Sequence, residues 1–195
     1  SNRVLPHAEL RSRIYEAAVG SFRTNGYNAT TVDQIVAIAG VAKGTFFNFF
    51  PTKLDVLKAY YHTIDAEAGK CRARMDAKRP LAALRRYAVS VERIFEREGR
   101  LMLDLFDAIS REPVIAEIDT ESGAADTADF ASFLGAVRAR GLIAPDVDLA
   151  LAARAVLDLW SGSVREWIAR PGKESLGDLF HARVSLLFHG LGYRQ

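Results

Sequence analysis

Between positions 31 and 53 the chain gathers side chains of the types that grip DNA: Thr31, Lys43, Thr45, Asn48 and Lys53, with Gly44 among them. Lys43 supplies a positive charge to a phosphate or a guanine edge, and Thr45 offers a hydroxyl together with a methyl suited to thymine. Gly44 lets the backbone come close. Thr31 stands where a helix should begin, and from there it can present its hydroxyl and backbone N–H groups to a phosphate. The run Phe46-Phe47-Asn48-Phe49-Phe50 places four Phe within five residues, too many for one face of a short helix. At about 100° per residue, Phe46 and Phe50 share a side and are expected to pack against the first helix. Phe47 and Phe49 point elsewhere, and two readings stand for them: contact with DNA, or packing within the domain.

Elsewhere the residue types carry no comparable chemistry. No nucleophile–base set and no phosphate-binding glycine loop is present, and His62, His181 and His189 lack metal-ligand spacing. No catalysis, no cofactor and no metal are therefore expected. Asp104 and Asp107 lie one helical turn apart without a partner base and read as helix surface or as polar groups of a pocket. Cys71 sits among Lys70, Arg72 and Arg74, so a redox-sensing thiolate and a passive thiol both remain open. Trp160 and Trp167 are seven residues apart and share a helix face, either lining a pocket or packing in a core or interface.

The elements that must position these residues are helical almost throughout. Leu10, Ile14, Ala18 and Phe22 recur every fourth residue, with Gly26 as the stop. Thr31-Val32-Asp33-Gln34 has capping-box form and opens a short helix ended by Gly40. A third short helix covers about 42–50 and closes at Pro51. Two short helices joined by a tight glycine-containing turn make a helix-turn-helix. Thr52 opens a long helix with Leu54, Leu57, Tyr61, Ile64 and Ala68 on one face. Further helices follow from Pro80, then around Leu101 to Ile109 with a stop near Pro113. A polar, small-residue break is expected at 120–127, before a helix carrying Phe130, Phe133, Leu134 and Val137. The last two, about 146–169 and 175–191, are apolar on more than one face, as helices buried first by their own core and then by a partner would be. The expected fold is all-α, with about nine helices.

Charge is distributed to match. Residues 1–53 carry Arg3, Arg11, Arg13, Arg23, Lys43 and Lys53 against Glu9, Glu16 and Asp33, a balance of 6 − 3 = +3. The rest holds 26 − 6 = 20 basic and 24 − 3 = 21 acidic residues, or −1. Arg3, Arg11 and Arg13 are placed either at phosphates and the minor groove or on solvated surface, and Arg23 on the surface. The longest run without Lys, Arg, Asp or Glu spans 184–193, far short of the roughly 20 apolar residues that cross a bilayer. With one Cys, and no basic segment leading into an apolar run at the start, a cytoplasmic protein without membrane contact is expected.

Residues 22–53 resemble the DNA-binding domain of the TetR family of bacterial regulators. The resemblance rests on Phe22, Gly26-Tyr27, Thr30-Thr31-Val32, Ile35, Ala39-Gly40-Val41, Lys43-Gly44-Thr45-Phe46, Asn48, Phe50 and Lys53. It covers about a sixth of the chain, and order and spacing agree throughout. Three positions depart from it. Ala42, Phe47 and Phe49 stand where the family usually has Ser, Tyr, and Tyr or His, so three phosphate-bonding groups are missing. The resemblance implies a helix-turn-helix domain over 1–52 and a helical ligand-binding and dimerisation domain over 53–195. It also implies a homodimer through the two C-terminal helices on a palindromic operator, acting as a ligand-responsive regulator, most often a repressor. The effector is expected to be a small hydrophobic or aromatic molecule in a pocket rich in Tyr61, Tyr87, Met102, Phe106, Phe130, Phe133 and Trp160. The rival reading is an all-α small-molecule-binding protein or enzyme that does not bind DNA.

Overall fold

The computed structural model describes residues 6–192, which form nine helices and no strand. Arg3 lies outside the described residues. In chain order the helices are α1 (His7–Asn25), α2 (Val32–Ala39), α3 (Lys43–Phe49), α4 (Lys53–Arg72), α5 (Pro80–Glu98), α6 (Arg100–Arg111), α7 (Pro113–Ala139), α8 (Leu149–Ala169) and α9 (Leu176–Gly190). Two compact units divide the chain. One holds the described part of Ser1–Ile64 together with Glu98–Ala116; the other holds Asp65–Arg97 and the described part of Glu117–Gln195. The chain passes from one unit to the other within α4, at the end of α5 and within α7. The first unit thus takes in α4 as far as Ile64 and all of α6, beyond the 1–52 segment expected to be the first domain.

In the first unit the local signals act as anticipated. Ile14, Ala18 and Phe22 of α1 are buried, and Gly26 ends the helix at φ +87°, where a side chain would be strained. The capping box at the start of α2 is complete. Gln34 donates its backbone N–H to Thr31 Oγ1 at 3.3 Å, and Thr31 donates its own to Gln34 Oε1 at 2.8 Å. At the far end of α2, Gly40 adopts the left-handed conformation at φ +63°, and the Val41 N–H reaches back to the Val36 carbonyl. Phe46 and Phe50 are buried with Ile35 and Ala39.

The second unit packs around stacked aromatics. Tyr87 meets Trp160 at 4.9 Å and Phe130 at 6.0 Å between ring centroids, and Trp160 meets Phe180 edge-on at 5.3 Å. Asp148 and Ser175 cap α8 and α9 through their side chains. Where α9 begins, Gly177 approaches α5 so closely that a Cβ would lie 2.4 Å from Val89 Cγ2. Trp160 therefore belongs to a packed core, and Trp167 stacks on Phe95 at 6.1 Å. A buried ion pair joins Arg72 of α4 to Asp126 of α7, with Asp129 also on Arg72 at 3.2 Å. Burial pushes the Asp126 carboxyl up to about 6, and the neighbouring guanidinium does not offset it.

One expectation fails. The polar stretch 120–127 does not break the chain but lies inside α7, which starts immediately after α6. Pro113 occupies the first helical position, where its missing N–H is not needed. The weak helix formers that follow cost tenths of a kcal/mol each, and Gly123 about 1 kcal/mol, and tertiary contacts override them. Thr127 returns its hydroxyl to the Gly123 carbonyl at 2.8 Å, Asp126 pairs with Arg72, and Phe130, Leu134 and Val137 are buried further along the same helix.

Candidate nucleic-acid interface

The anticipated reading surface begins with what α3 buries. Phe46 is fully buried and Phe50 nearly so, 6.0 Å apart, and the Arg11 guanidinium lies 4.9 Å from the Phe50 ring centroid. With those rings inward, the other side of α3 faces solvent. Lys43, Gly44 and Asn48 are exposed and Thr45 is half-buried. Phe47 is 43% exposed, its ring edge-on to Phe46 at 5.4 Å. Phe49 resolves differently. It is half-buried and stacked on His7 at 4.3 Å, a packing contact within the unit.

Gly44 has room around it. A Cβ there would meet nothing within 4 Å, so folding makes no demand for glycine at this exposed position. The Lys43 ammonium pairs with Asp33 of α2 at 2.8 Å, but both side chains are largely exposed, and such a pair contributes little and exchanges readily. Thr31 is exposed at the start of α2 and its oxygen already accepts from Gln34. Lys53 is placed differently from expectation. Its ammonium donates to the carbonyls of Tyr27 at 2.7 Å and Thr30 at 2.9 Å, and lies 4.2 Å from the Tyr27 ring centroid. Two of its three N–H donors are thus engaged inside the unit, and burial lowers its pKa.

Two further basic residues of the unit are engaged within it. Arg13 donates to the carbonyl of Ala39, one of the open acceptors at the end of α2. Arg23 is exposed, as expected, and also donates to Glu98 at 2.9 Å from Nε. The Glu98 side chain is 1% exposed and also accepts from the Tyr60 hydroxyl at 3.1 Å. A buried carboxylate demands such partners. Burial, and then Glu98, push the Tyr60 hydroxyl well above its ordinary value.

Asp104 is the residue whose role the sequence hid. Its Oδ2 accepts from the Tyr27 backbone N–H at 2.7 Å. Tyr27 packs edge-on against Phe22 at 5.2 Å. Its hydroxyl is pushed up to about 12, first by burial and then by the charges of Glu112 and Asp55. Asp107, by contrast, pairs with Arg111 on the surface at 2.8 Å.

The anticipated pocket residues fall in both units. Tyr61 and Met102 are buried and Phe106 half-buried in the first; Tyr87, Phe130, Phe133 and Trp160 are buried in the second. No group of three or more His, Cys, Asp and Glu among the described residues could hold a metal. None of the described helices is long and apolar enough to cross a membrane.

Comparison with known proteins bears on the same segment. A family model described as "Bacterial regulatory proteins, tetR family" matches residues 14–60. The transcriptional repressor KstR of Mycobacterium tuberculosis is 26% identical over 171 residues, covering 83% of this chain and 72% of that protein. The repressor BepR of Brucella suis is 27% identical over 172 residues, covering 83% and 81%. Among solved structures, Thermus thermophilus FadR, a TetR-family repressor in complex with lauroyl-CoA, is 28% identical with a TM-score of 0.69, covering 95% of this chain and 96% of that one. Salmonella enterica GusR shares the fold at a TM-score of 0.74 and 22% identity, covering 97% and 98%.

Proposed function

The chain belongs to the TetR family of bacterial transcriptional regulators, and on that premise we propose that it reads a palindromic operator as a homodimer. It is a ligand-responsive, DNA-binding repressor rather than an enzyme, and we place it in the cytoplasm. One observation carries the assignment of the surface: α3 buries Phe46 and Phe50 and turns Lys43, Gly44, Thr45, Phe47 and Asn48 to the other side. That face suits the major groove. Lys43 exchanges Asp33 for a phosphate or a guanine edge, the Gly44 backbone comes close, and Thr45 and Asn48 reach base edges. Thr31 directs the start of α2 at a phosphate. Phe47 presses on sugar or a thymine methyl, and Phe49 supports α3 from within. We keep 1–52 as the segment that touches DNA and 53–195 as the segment that dimerises and binds ligand.

The dimer uses α8 and α9. Both helices bury one side in their own unit, yet leave Leu151 69% and Leu186 77% exposed, an apolar surplus that a two-fold copy would cover. The two reading heads then meet half-sites about 34–36 Å apart. A hydrophobic or aromatic effector held by the 53–195 segment releases DNA only by binding the low-affinity state more tightly than the DNA-bound one.

A mobility-shift titration against DNA upstream of the protein's own coding region tests the proposal. Sequence-selective, salt-sensitive binding is expected. A chain that binds no sequence preferentially at any salt concentration would be the DNA-independent helical carrier or enzyme instead.

A further inference from the structure

The backbone of one residue in the reading head is held from both sides by opposite charges. The Tyr27 N–H donates to Asp104 of α6 at 2.7 Å, and the Tyr27 carbonyl accepts from Lys53 of α4, also at 2.7 Å. We propose that Asp104 and Lys53 are positioning residues for DNA recognition, fixing α2 and α3 through the 26–31 connection. The inference rests on the DNA-binding reading given above.

The connection feeds directly into the reading helices, because its last residue, Thr31, is the N-cap of α2. Every polar grip on it comes from a defined place. Lys53 takes the Thr30 carbonyl as well, and Thr30 donates its hydroxyl to the Gly26 carbonyl at 2.8 Å. Arg100 lies against Gly26, its Nε 2.8 Å from where a Cβ would stand. The end of α1 is anchored to the same stretch of chain, through Arg23 and Glu98. Charge-assisted hydrogen bonds are shorter and stronger than neutral ones and hold geometry better. α3 needs such outside support. It has seven residues and no side-chain cap, so its orientation comes from the elements around it and not from its own stability.

Asp104 also carries the wrong sign for contact with a phosphate. Removing a carboxylate near a phosphate-binding surface should tighten binding by simple electrostatics. A positioning residue gives the opposite result, and the two accounts separate cleanly.

The test uses the full chain and the DNA fragment that it selects from a randomised pool, with a scrambled fragment of equal composition as the control. Asp104→Ala is expected to lower affinity for the selected fragment about tenfold, the equivalent of one charge-assisted hydrogen bond. The scrambled fragment should bind as before, because phosphate contact tolerates a tilted helix and base readout does not. Asp104→Asn keeps an acceptor and should recover most of the selectivity. Lys53→Met should lose selectivity as Asp104→Ala does, with the slope of log affinity against log salt unchanged, and it carries the test if Asp104→Ala fails to fold. Equal losses on both fragments, or unchanged or tighter binding by the variants, would overturn the inference. So would a salt slope reduced by about two in Lys53→Met, one contact per protomer, which returns Lys53 to the phosphate. A wild-type chain that selects no sequence would instead overturn the proposed function, and this inference with it.

Discussion

Phe47→Tyr should tighten operator binding, and the structure sets how much. The Phe47 ring is 43% exposed and leans edge-on against Phe46 at 5.4 Å. A hydroxyl added to such a ring keeps that contact, and a substitution at a partly exposed site should change stability by no more than about 0.5 kcal/mol. At the DNA the new hydroxyl gains one phosphate hydrogen bond per reading head, worth about 0.5–1.5 kcal/mol net. A dimer makes the contact twice, so about 1–3 kcal/mol is expected, or roughly 5- to 150-fold in affinity. The gain should leave the salt slope unchanged, because tyrosine is neutral at the assay pH and displaces no further counterion. Fluorescence anisotropy at several salt concentrations reads both quantities. Phe46→Tyr is the contrast: that ring is fully buried, and an unsatisfied hydroxyl there should destabilise the unit by about 1–3 kcal/mol. Unchanged or weaker binding by Phe47→Tyr would refute the placement of this ring against the DNA backbone.

Three further outcomes follow from the geometry. Gly44→Ala meets no atom within 4 Å, so it should fold at least as stably as the parent while losing operator affinity; thermal melting and anisotropy on one preparation check both halves. Asp126 is raised to about 6 by burial, so the folded chain holds an extra proton between about pH 4 and pH 6. This group's contribution therefore falls as pH rises through that window, by up to about 3 kcal/mol. Urea titrations at pH 4.5 and 7.5 should show the parent gaining more on acidification than Asp126→Asn, and identical pH dependence would rule this out. Leu186→Glu places a charge on a side chain that is 77% exposed in the single chain. It should leave the fold intact and yield monomer in sedimentation, whereas an unshifted dimer would move the interface away from α9.

The helices of the reading head were legible because the signals that define them are local. A repeat every fourth residue, a Thr and Gln three apart, and a glycine after the last turn each act within one or two turns of chain. The same reasoning turned Phe46 and Phe50 inward, as found, since they share a face whatever surrounds them. It failed at 120–127, where weak helix formers read as a break while α7 runs straight through. There the outcome was set by burial and by Arg72, a residue on another helix.

By itself, the sequence determined the helical class and the helix-turn-helix. Only the tertiary structure decided what the charges do. Arg23 and Glu98 are 75 positions apart, and Tyr27 and Asp104 are 77 apart. No spacing rule connects such pairs, because a charged side chain announces its need for a partner without naming one. Lys53 shows the same limit: the motif presents it as a phosphate ligand, and the folded chain turns its ammonium onto two backbone carbonyls. Periodicity and capping are properties of neighbouring residues, whereas the satisfaction of a buried polar group depends on whatever the fold brings within 3 Å of it.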